Sequence, residues 1–471
     1  MKEFDLIVIG AGSGLDVAAA AVNRGLNVAV VDDGPLGGTC LNRGCIPSKM
    51  LLHRADIATA VQNARQFGID ASINDVDFAG MIREVNESVA EDSNSIKEGV
   101  RASDRHTLYR TRARFTDERT LDVGEDTLRG DKVVIAAGTR PIIPSIDGLE
   151  AVDYWTSTEA LDPEAQPDHL IIVGGGYIAA ELAHFYGSFG TEITIIGRRE
   201  VLLPDHELDI SARYAEIDEE VSRAFTNSYA ERYDIHVGYE ATTVSENGDE
   251  VTVHAVGLDN SNITVTGDRL LLAAGRQPNS DTLDLNMADV VTDERGYIET
   301  DEHLETTAEN VWALGDITGN HLFKHAANHD AGYVATNALG DSEHKHAVDY
   351  TGMPYSVFAS PQVAGVGRTG QELRAVDTEY VTSTHSYGDT AMGGALKEED
   401  GFVKVLAAPE DGEILGCHII GPHASMLIHE VVVAMGSGSG TVGNIRNAIH
   451  VHPALNEVVQ RAFSGRFNKP E

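Results

Sequence analysis

Two stretches of this 471-residue chain spell the same strand, glycine turn, helix and strand, and that repetition restricts the fold to the α/β class with two Rossmann-like dinucleotide-binding domains. The first stretch opens with MKEFDLIVIG, an apolar run suited to a buried parallel strand. It continues through GAGSGLDVAAAAVNRG into LNVAVVDD. Gly10 and Gly12 permit a tight turn and close approach of backbone N–H groups to a pyrophosphate at the helix N-terminus. Asp32 follows Gly10 by 22 residues, the spacing of a carboxylate that accepts a ribose hydroxyl. The third glycine place holds Leu15, with Gly14 just before it, and the unit alone is also compatible with plain strand-to-helix geometry. Residues 167–200 then repeat the unit, with Gly174 and Gly176 in the turn and Ala179 in the third place. Two such units imply two nucleotides.

The ends of the two second strands differ. Where Asp32 closes the first, Gly197 stands in the second, followed by Arg198 and Arg199. A carboxylate at that place holds the NAD ribose and repels a 2′-phosphate, whereas guanidinium groups grip the phosphate by paired, charge-assisted bonds. The pattern therefore favours NADPH over NADH, against the alternative of a solvated arginine turn.

Between the two units lies GGTCLNRGCIPSK, residues 37–49, which carries two of only three cysteines. Cys40 and Cys45 read as a dithiol that cycles between oxidised and reduced states, because nothing points to an oxidising compartment. A metal clip is the alternative. The first spacing matches plant-type iron–sulfur sites, but the only further cysteine is Cys417, so no metal is expected.

At this length the chain should hold about two to four domains. Acids outnumber bases 74 to 35, giving a net charge of −39, and only nine of the bases are lysine. Such a surface repels nucleic acid and is eased by concentrated salt, so a salt-adapted host is the simplest cause. No signal-like segment precedes Asp5 and no apolar run reaches membrane length, so a cytoplasmic protein without a membrane partner is expected. GSGSG at 436–440 reads as a loop before the final helix.

These motifs, with AAGTRP (136–141), AAGRQPN (273–279), VWALGDIT (311–318) and HVHPALNE (450–457), occur in the order found in the flavoprotein disulfide reductases, which the whole chain resembles. The resemblance implies FAD and NADPH as cofactors and a homodimer. It divides the chain into an FAD domain (1–147), an NADPH domain (148–270), a return to the flavin domain (271–345) and an α+β dimerisation domain (346–471). Gly10, Gly12, Gly14, Asp32, Gly38, Thr39, Lys49, Gly138, Asp316, Lys324, His325 and Ala326 are then the FAD set, with the helix start near Lys324–Ala326 presenting its positive end to the flavin. Gly174, Gly176, Tyr177, Ile178, Glu181, Arg198, Arg199 and Gly275 are the NADPH set, with Tyr177 as the gate over the nicotinamide pocket. Cys40 becomes the attacking sulfur and Cys45 the one that faces the flavin. Lys49 and Glu181 meet beside flavin N5; an ordinary helix carboxylate is the other reading of Glu181. His452, oriented by Glu457, reaches the partner subunit's site as acid and base, against a loop histidine without a role, while His450 is structural.

Departures from individual branches narrow the substrate. RAFSGRFNKPE lacks the C-terminal cysteines of mercuric and large thioredoxin reductases, and the helix LDVAAAAV lacks the arginines by which glutathione reductases grip their peptide. The Arg198–Arg199 pair argues against dihydrolipoamide dehydrogenase, an NAD enzyme and the runner-up. KHAANHDA resembles the matching stretch of mycothione reductases. The resulting expectation is an NADPH-dependent reductase of a small-molecule disulfide, bis-γ-glutamylcystine first among candidates because salt-adapted archaea use it in place of glutathione. Arg43, inside the cysteine loop, reads equally as an anion contact or a solvent-facing charge. A redox sensor without turnover is disfavoured by the intact set of Cys40, Cys45, His452 and Glu457.

Overall fold

The computed structural model describes residues 1–203, 217–340 and 344–470. Its first sheet contains β1 (Lys2–Ile9), β2 (Val28–Val31), β3 (His106–Tyr109), β4 (Ala113–Asp117), β5 (Thr120–Val123) and β6 (Asp126–Ile135), in the order 3-2-1-6-5-4. Strands β3, β2, β1 and β6 run parallel, Val311–Ala313 joins β6 in parallel, and β4 to β6 form an antiparallel meander. Both faces of the parallel part are covered, which is why Leu6–Ile9, Val28–Val31 and Val133–Ile135 are unbroken apolar runs. Leu6, Val8, Val28, Val30 and Val134 pack under α1 (Gly14–Asn23) and the C-terminal half of a later helix, at Ala331, Val334 and Ala338. Ile7, Ile9, Ala29, Val31, Val133 and Ile135 face the other way, onto Phe115, Leu121 and Val123 of the meander.

The chain then supplies α2 (Gly38–Arg43), α3 (Cys45–Gln62) and α4 (Phe78–Arg101) before a second parallel sheet. Asp77 caps α4 by accepting the Gly80 N–H at 2.8 Å. The second sheet orders its strands 234–237, 192–197, 169–173, 269–272 and 154–155, all parallel. Its alternation is again two-sided. Leu170, Ile172, Ile193, Ile195 and Leu271 pack on α3, α5 (Tyr177–Ser188) and α6 (Glu219–Ala230). Ile171, Val173, Ile196, Leu270 and Leu272 pack on a three-stranded antiparallel sheet spanning 239–267.

After α7 (Lys324–Leu339), a five-stranded antiparallel sheet carries helices Ala424–Gly436 and Glu457–Ser464 on one face. The α/β class with two Rossmann-like sheets and a C-terminal α+β unit is thus realised. One expectation needs correcting. Gly436 closes a helix, and the short helix Val442–Arg446 stands between the GSGSG loop and the final helix, because the loop turns the chain back toward Gly412 through the Val442 N–H. Among the described residues no helix is long and apolar enough to cross a membrane.

Candidate active site at the cysteine pair

Both glycine turns are closed by the same contact. Gly10 has φ +100° and Gly174 φ +131°, a region that costs side-chain-bearing residues strain. A Cβ on Gly10 would lie 2.2 Å from the Ala136 carbonyl oxygen, and one on Gly174 would lie 2.2 Å from that of Ala273. Each turn is therefore pressed against the start of its own AAG segment. The departure at Leu15 also resolves here, since a Cβ on Gly14 would meet Val8 Cγ1 at 2.8 Å and Ala136 Cβ at 3.0 Å. Gly14 supplies the close helix-to-strand packing usually given by the third glycine.

A cleft of about 730 Å³ runs from this first turn to the cysteines. Gly10, Gly12, Asp32, Gly38, Thr39, Cys40, Cys45, Lys49, Gly138, Asp316, Lys324, Tyr177, Ile178 and Glu181 all line it. It is large enough for a dinucleotide. A Cβ on Gly38 would stand 2.7 Å from Gly12 Cα, so backbone replaces side chain along the cradle, as close approach of an extended cofactor requires. The residues present fit FAD. Asp32 accepts the Ala11 N–H and the Gly34 N–H at 2.6 Å each, and burial raises its carboxyl despite these bonds.

Cys40 lies within α2 and Cys45 is the first residue of α3, where the free N–H groups of the helix start favour a thiolate. A hydrogen bond from Cys40 lowers the Cys45 thiol to about 7, the Lys49 charge adds to it, and burial opposes both. The same hydrogen bond, with burial, pushes the Cys40 thiol up. Lys49 Nζ sits 2.7 and 2.8 Å from the two carboxylate oxygens of Glu181, whose side chain is only 6% exposed. Glu181 also accepts the Phe358 N–H at 3.0 Å, and the Phe358 ring lies 4.8 Å from Lys49 Nζ. This pair ties the helix that begins at Cys45 to the helix that begins beside the second glycine turn.

Asp316 accepts Thr139 Oγ1–H at 3.0 Å, and Arg276 donates to Thr139 Oγ1 and to its carbonyl at 2.8 Å. Burial raises Asp316, with Arg276 opposing. Lys324 donates to Ser13 Oγ at 2.7 Å and to Asn328 Oδ1. Of the expected trio at this helix start, only Lys324 lines the cleft: Ala326 is buried, and His325 stacks on Phe323 with its Nε2 2.8 Å from the Pro354 carbonyl oxygen.

Gly14, Gly174, Gly176, Gly275, Arg198 and Arg199 lie outside the cleft lining. A Cβ on Gly197 would stand 3.8 Å from Gly175 Cα, so the arginine pair leaves its strand beside the second turn, with Arg198 exposed. His452 and Glu457 are elsewhere again, at the edge of the C-terminal unit. Glu457 accepts His452 Nδ1–H at 3.0 Å, which holds its carboxyl below the usual range, while His452 is 70% exposed. His450 instead pairs with Glu430 at 3.0 Å. Thr139, Arg276 and Phe358 were not anticipated from sequence. Thr139 and Arg276 stand inside the two AAG motifs, directly after Gly138 and Gly275.

Residues 4–339 match the family described as pyridine nucleotide-disulphide oxidoreductase, and residues 353–463 match its dimerisation domain. The chain is 34% identical to mycothione reductase of Mycobacterium tuberculosis strain H37Rv, covering 99% of this chain and all of that protein. It is 33% identical to dihydrolipoyl dehydrogenase 3 of Haloarcula marismortui, over 97% and 95% of the two chains. Among solved structures, the HOCl-induced flavoprotein disulfide reductase RclA of Escherichia coli superposes with a TM-score of 0.84 at 27% identity, over 98% of this chain and 99% of that one.

Proposed function

The chain belongs to the pyridine nucleotide-disulphide oxidoreductases, and from that membership we propose that it is an NADPH-dependent reductase of a low-molecular-weight disulfide, with bis-γ-glutamylcystine the leading candidate. The observation that carries the reading is the Lys49–Glu181 pair: it links the helix opening at Cys45 to the helix opening beside the second glycine turn, as a relay between two nucleotides would require. The division at residues 147, 270 and 345 belongs to the same proposal.

FAD, held by the Gly10–Ser13 turn, Asp32, Lys49 and Asp316, supplies the two-electron relay between nicotinamide and sulfur. Tyr177 covers the nicotinamide, and Arg198 and Arg199 hold the 2′-phosphate. With the pair reduced, His452 of a second copy of this chain takes the proton of Cys40, whose thiol is pushed up, and the resulting Cys40 thiolate attacks one sulfur of the substrate disulfide, forming a mixed disulfide and expelling one thiolate. His452 of a second copy of this chain, steadied by Glu457, protonates that leaving group. Cys45, its thiol lowered to about 7, then attacks Cys40 sulfur as thiolate, expels the second substrate thiolate, which takes a proton from solvent, and closes the Cys40–Cys45 disulfide. Two electrons from NADPH reopen it. The sum is one NADPH and one proton consumed per disulfide cleaved.

NADPH is supported by the absence of a carboxylate at position 197, and a small thiol by the arginine-free α1 and the likeness to mycothione reductase. The likeness to a dihydrolipoyl dehydrogenase favours a second reading, the NAD-linked oxidation of dihydrolipoamide. Steady-state assays in concentrated KCl separate the two. NADPH with bis-γ-glutamylcystine should give the highest kcat/KM among paired nucleotides and disulfides; higher values with NADH and lipoamide would overturn the assignment.

A further inference from the structure

The cleft carries six cationic side chains: Arg43, Lys49, Arg112, Arg140, Arg276 and Lys324. Most are committed. Lys49 pairs with Glu181, Arg112 with Asp33 at 2.7 Å, Arg140 with Asp281 at 2.7 Å, and Arg276 is bound to Thr139 beside Asp316. Arg43 lies against Gly34, where its Nη2 is 3.9 Å from the Cβ position, and feels the charge of Glu159. Lys324 makes no carboxylate pair among the described residues. Its hydrogen-bond partners are the neutral oxygens of Ser13 and Asn328, and it stands at the start of α1 itself, since Ser13 is the N-cap residue of that helix. Ser13 Oγ in turn donates to Asn328 Oδ1 at 3.0 Å, so hydroxyl and amide hold the ammonium in place over the turn.

In a chain where acids outnumber bases 74 to 35, an ammonium left without a carboxylate inside a cleft is a charge reserved for an anion. The anion expected at the N-terminus of α1 is a diphosphate. We infer that Lys324 is a direct cationic ligand of the FAD diphosphate, added here to the backbone N–H groups of the glycine turn; the inference rests on the FAD reading above. It makes a side chain of α7 part of the diphosphate site, so FAD staples α7 to α1 and should be held less tightly as salt rises.

The test uses the full-length holoprotein, deflavinated and retitrated with two probes: FAD, which has the diphosphate, and riboflavin, which lacks it. Lys324→Met should weaken FAD about ten- to hundred-fold, the worth of a charge-assisted bond, while leaving riboflavin affinity unchanged and flattening the salt dependence of FAD binding. Lys324→Arg should restore most of the loss. Equal weakening of both probes would mean that the ammonium touches the flavin ring, and unchanged FAD affinity would mean that it only braces Ser13; either result overturns the inference. A wild-type protein that takes up no FAD would instead refute the cofactor reading on which it rests.

Discussion

At the scale of single residues, the division of labour between the cysteines follows from where each lies relative to a helix start. Cys45 opens α3, receives the Cys40 hydrogen bond and has Lys49 one turn along, so its thiol titrates near 7. A thiol whose folded value lies below the ordinary 9.0 stabilises the reduced protein above the unfolded value, and that contribution is lost as pH falls through about 7. Thiolate absorbance of the reduced protein should accordingly rise with a midpoint near 7. Lys49→Met should move that midpoint upward by removing a favourable charge, and an unmoved midpoint would detach Lys49 from the sulfur. Much at this scale is legible in sequence, because GGTCLNRGCIPSK keeps sulfur and ammonium on neighbouring turns. Phe358 is not: its bond to Glu181 crosses 177 residues of chain and its ring contact with Lys49 crosses more, and no local spacing encodes either.

At the scale of elements, the two glycine turns are built alike, each pressed against its own AAG segment, and on the proposed function, in which they serve different nucleotides, substitutions in them should separate cleanly. Gly10→Ala forces a methyl against the Ala136 carbonyl, so the purified protein should lose most of its flavin absorbance. Gly174→Ala places the methyl against Ala273 and should leave flavin bound while abolishing saturation by NADPH. Loss of flavin from both variants alike would show that the turns are structural only. The strand–turn–helix repeats could be read from sequence because apolar runs and glycines are local signals. The short helix at Val442–Arg446 could not, since it depends on the Thr441–Val442 backbone docking onto Glu413 and Gly412.

At the scale of the whole molecule, a buried ion pair joins the second parallel sheet's helix layer to the C-terminal sheet. Lys404, with a 4% exposed side chain, donates to both oxygens of Asp218 at 2.9 and 3.0 Å and to Glu220 at 2.8 Å. Burial opposes the Asp218 charge, but His418 and Lys404 outweigh it and hold the carboxyl low. Lys404→Met strands that charge and should cost about 3–5 kcal/mol in urea unfolding, whereas adding Asp218→Asn should recover part of the loss. Composition could not announce this, since lysine is ordinarily a surface residue. His452 is exposed at a C-terminal edge next to Val451 and Ile449, which are 75% and 102% exposed, as fits a histidine offered to another copy. His452→Ala should slow turnover about two to four powers of ten. Hybrid dimers of Cys40→Ser and His452→Ala chains should regain activity, because one of their two sites carries neither change; silent hybrids would place both residues in the same subunit's site.

Anaerobic titration of the oxidised holoprotein with NADPH, with thiols and long-wavelength absorbance followed together, reports whether electrons pass from NADPH through a bound flavin to Cys40–Cys45. Two new thiols should appear per chain, with a thiolate–flavin band that persists in Cys40→Ser, which should no longer reduce any disulfide. Bleaching of the flavin with no new thiols, or disulfide turnover retained in Cys40→Ser, would contradict that route.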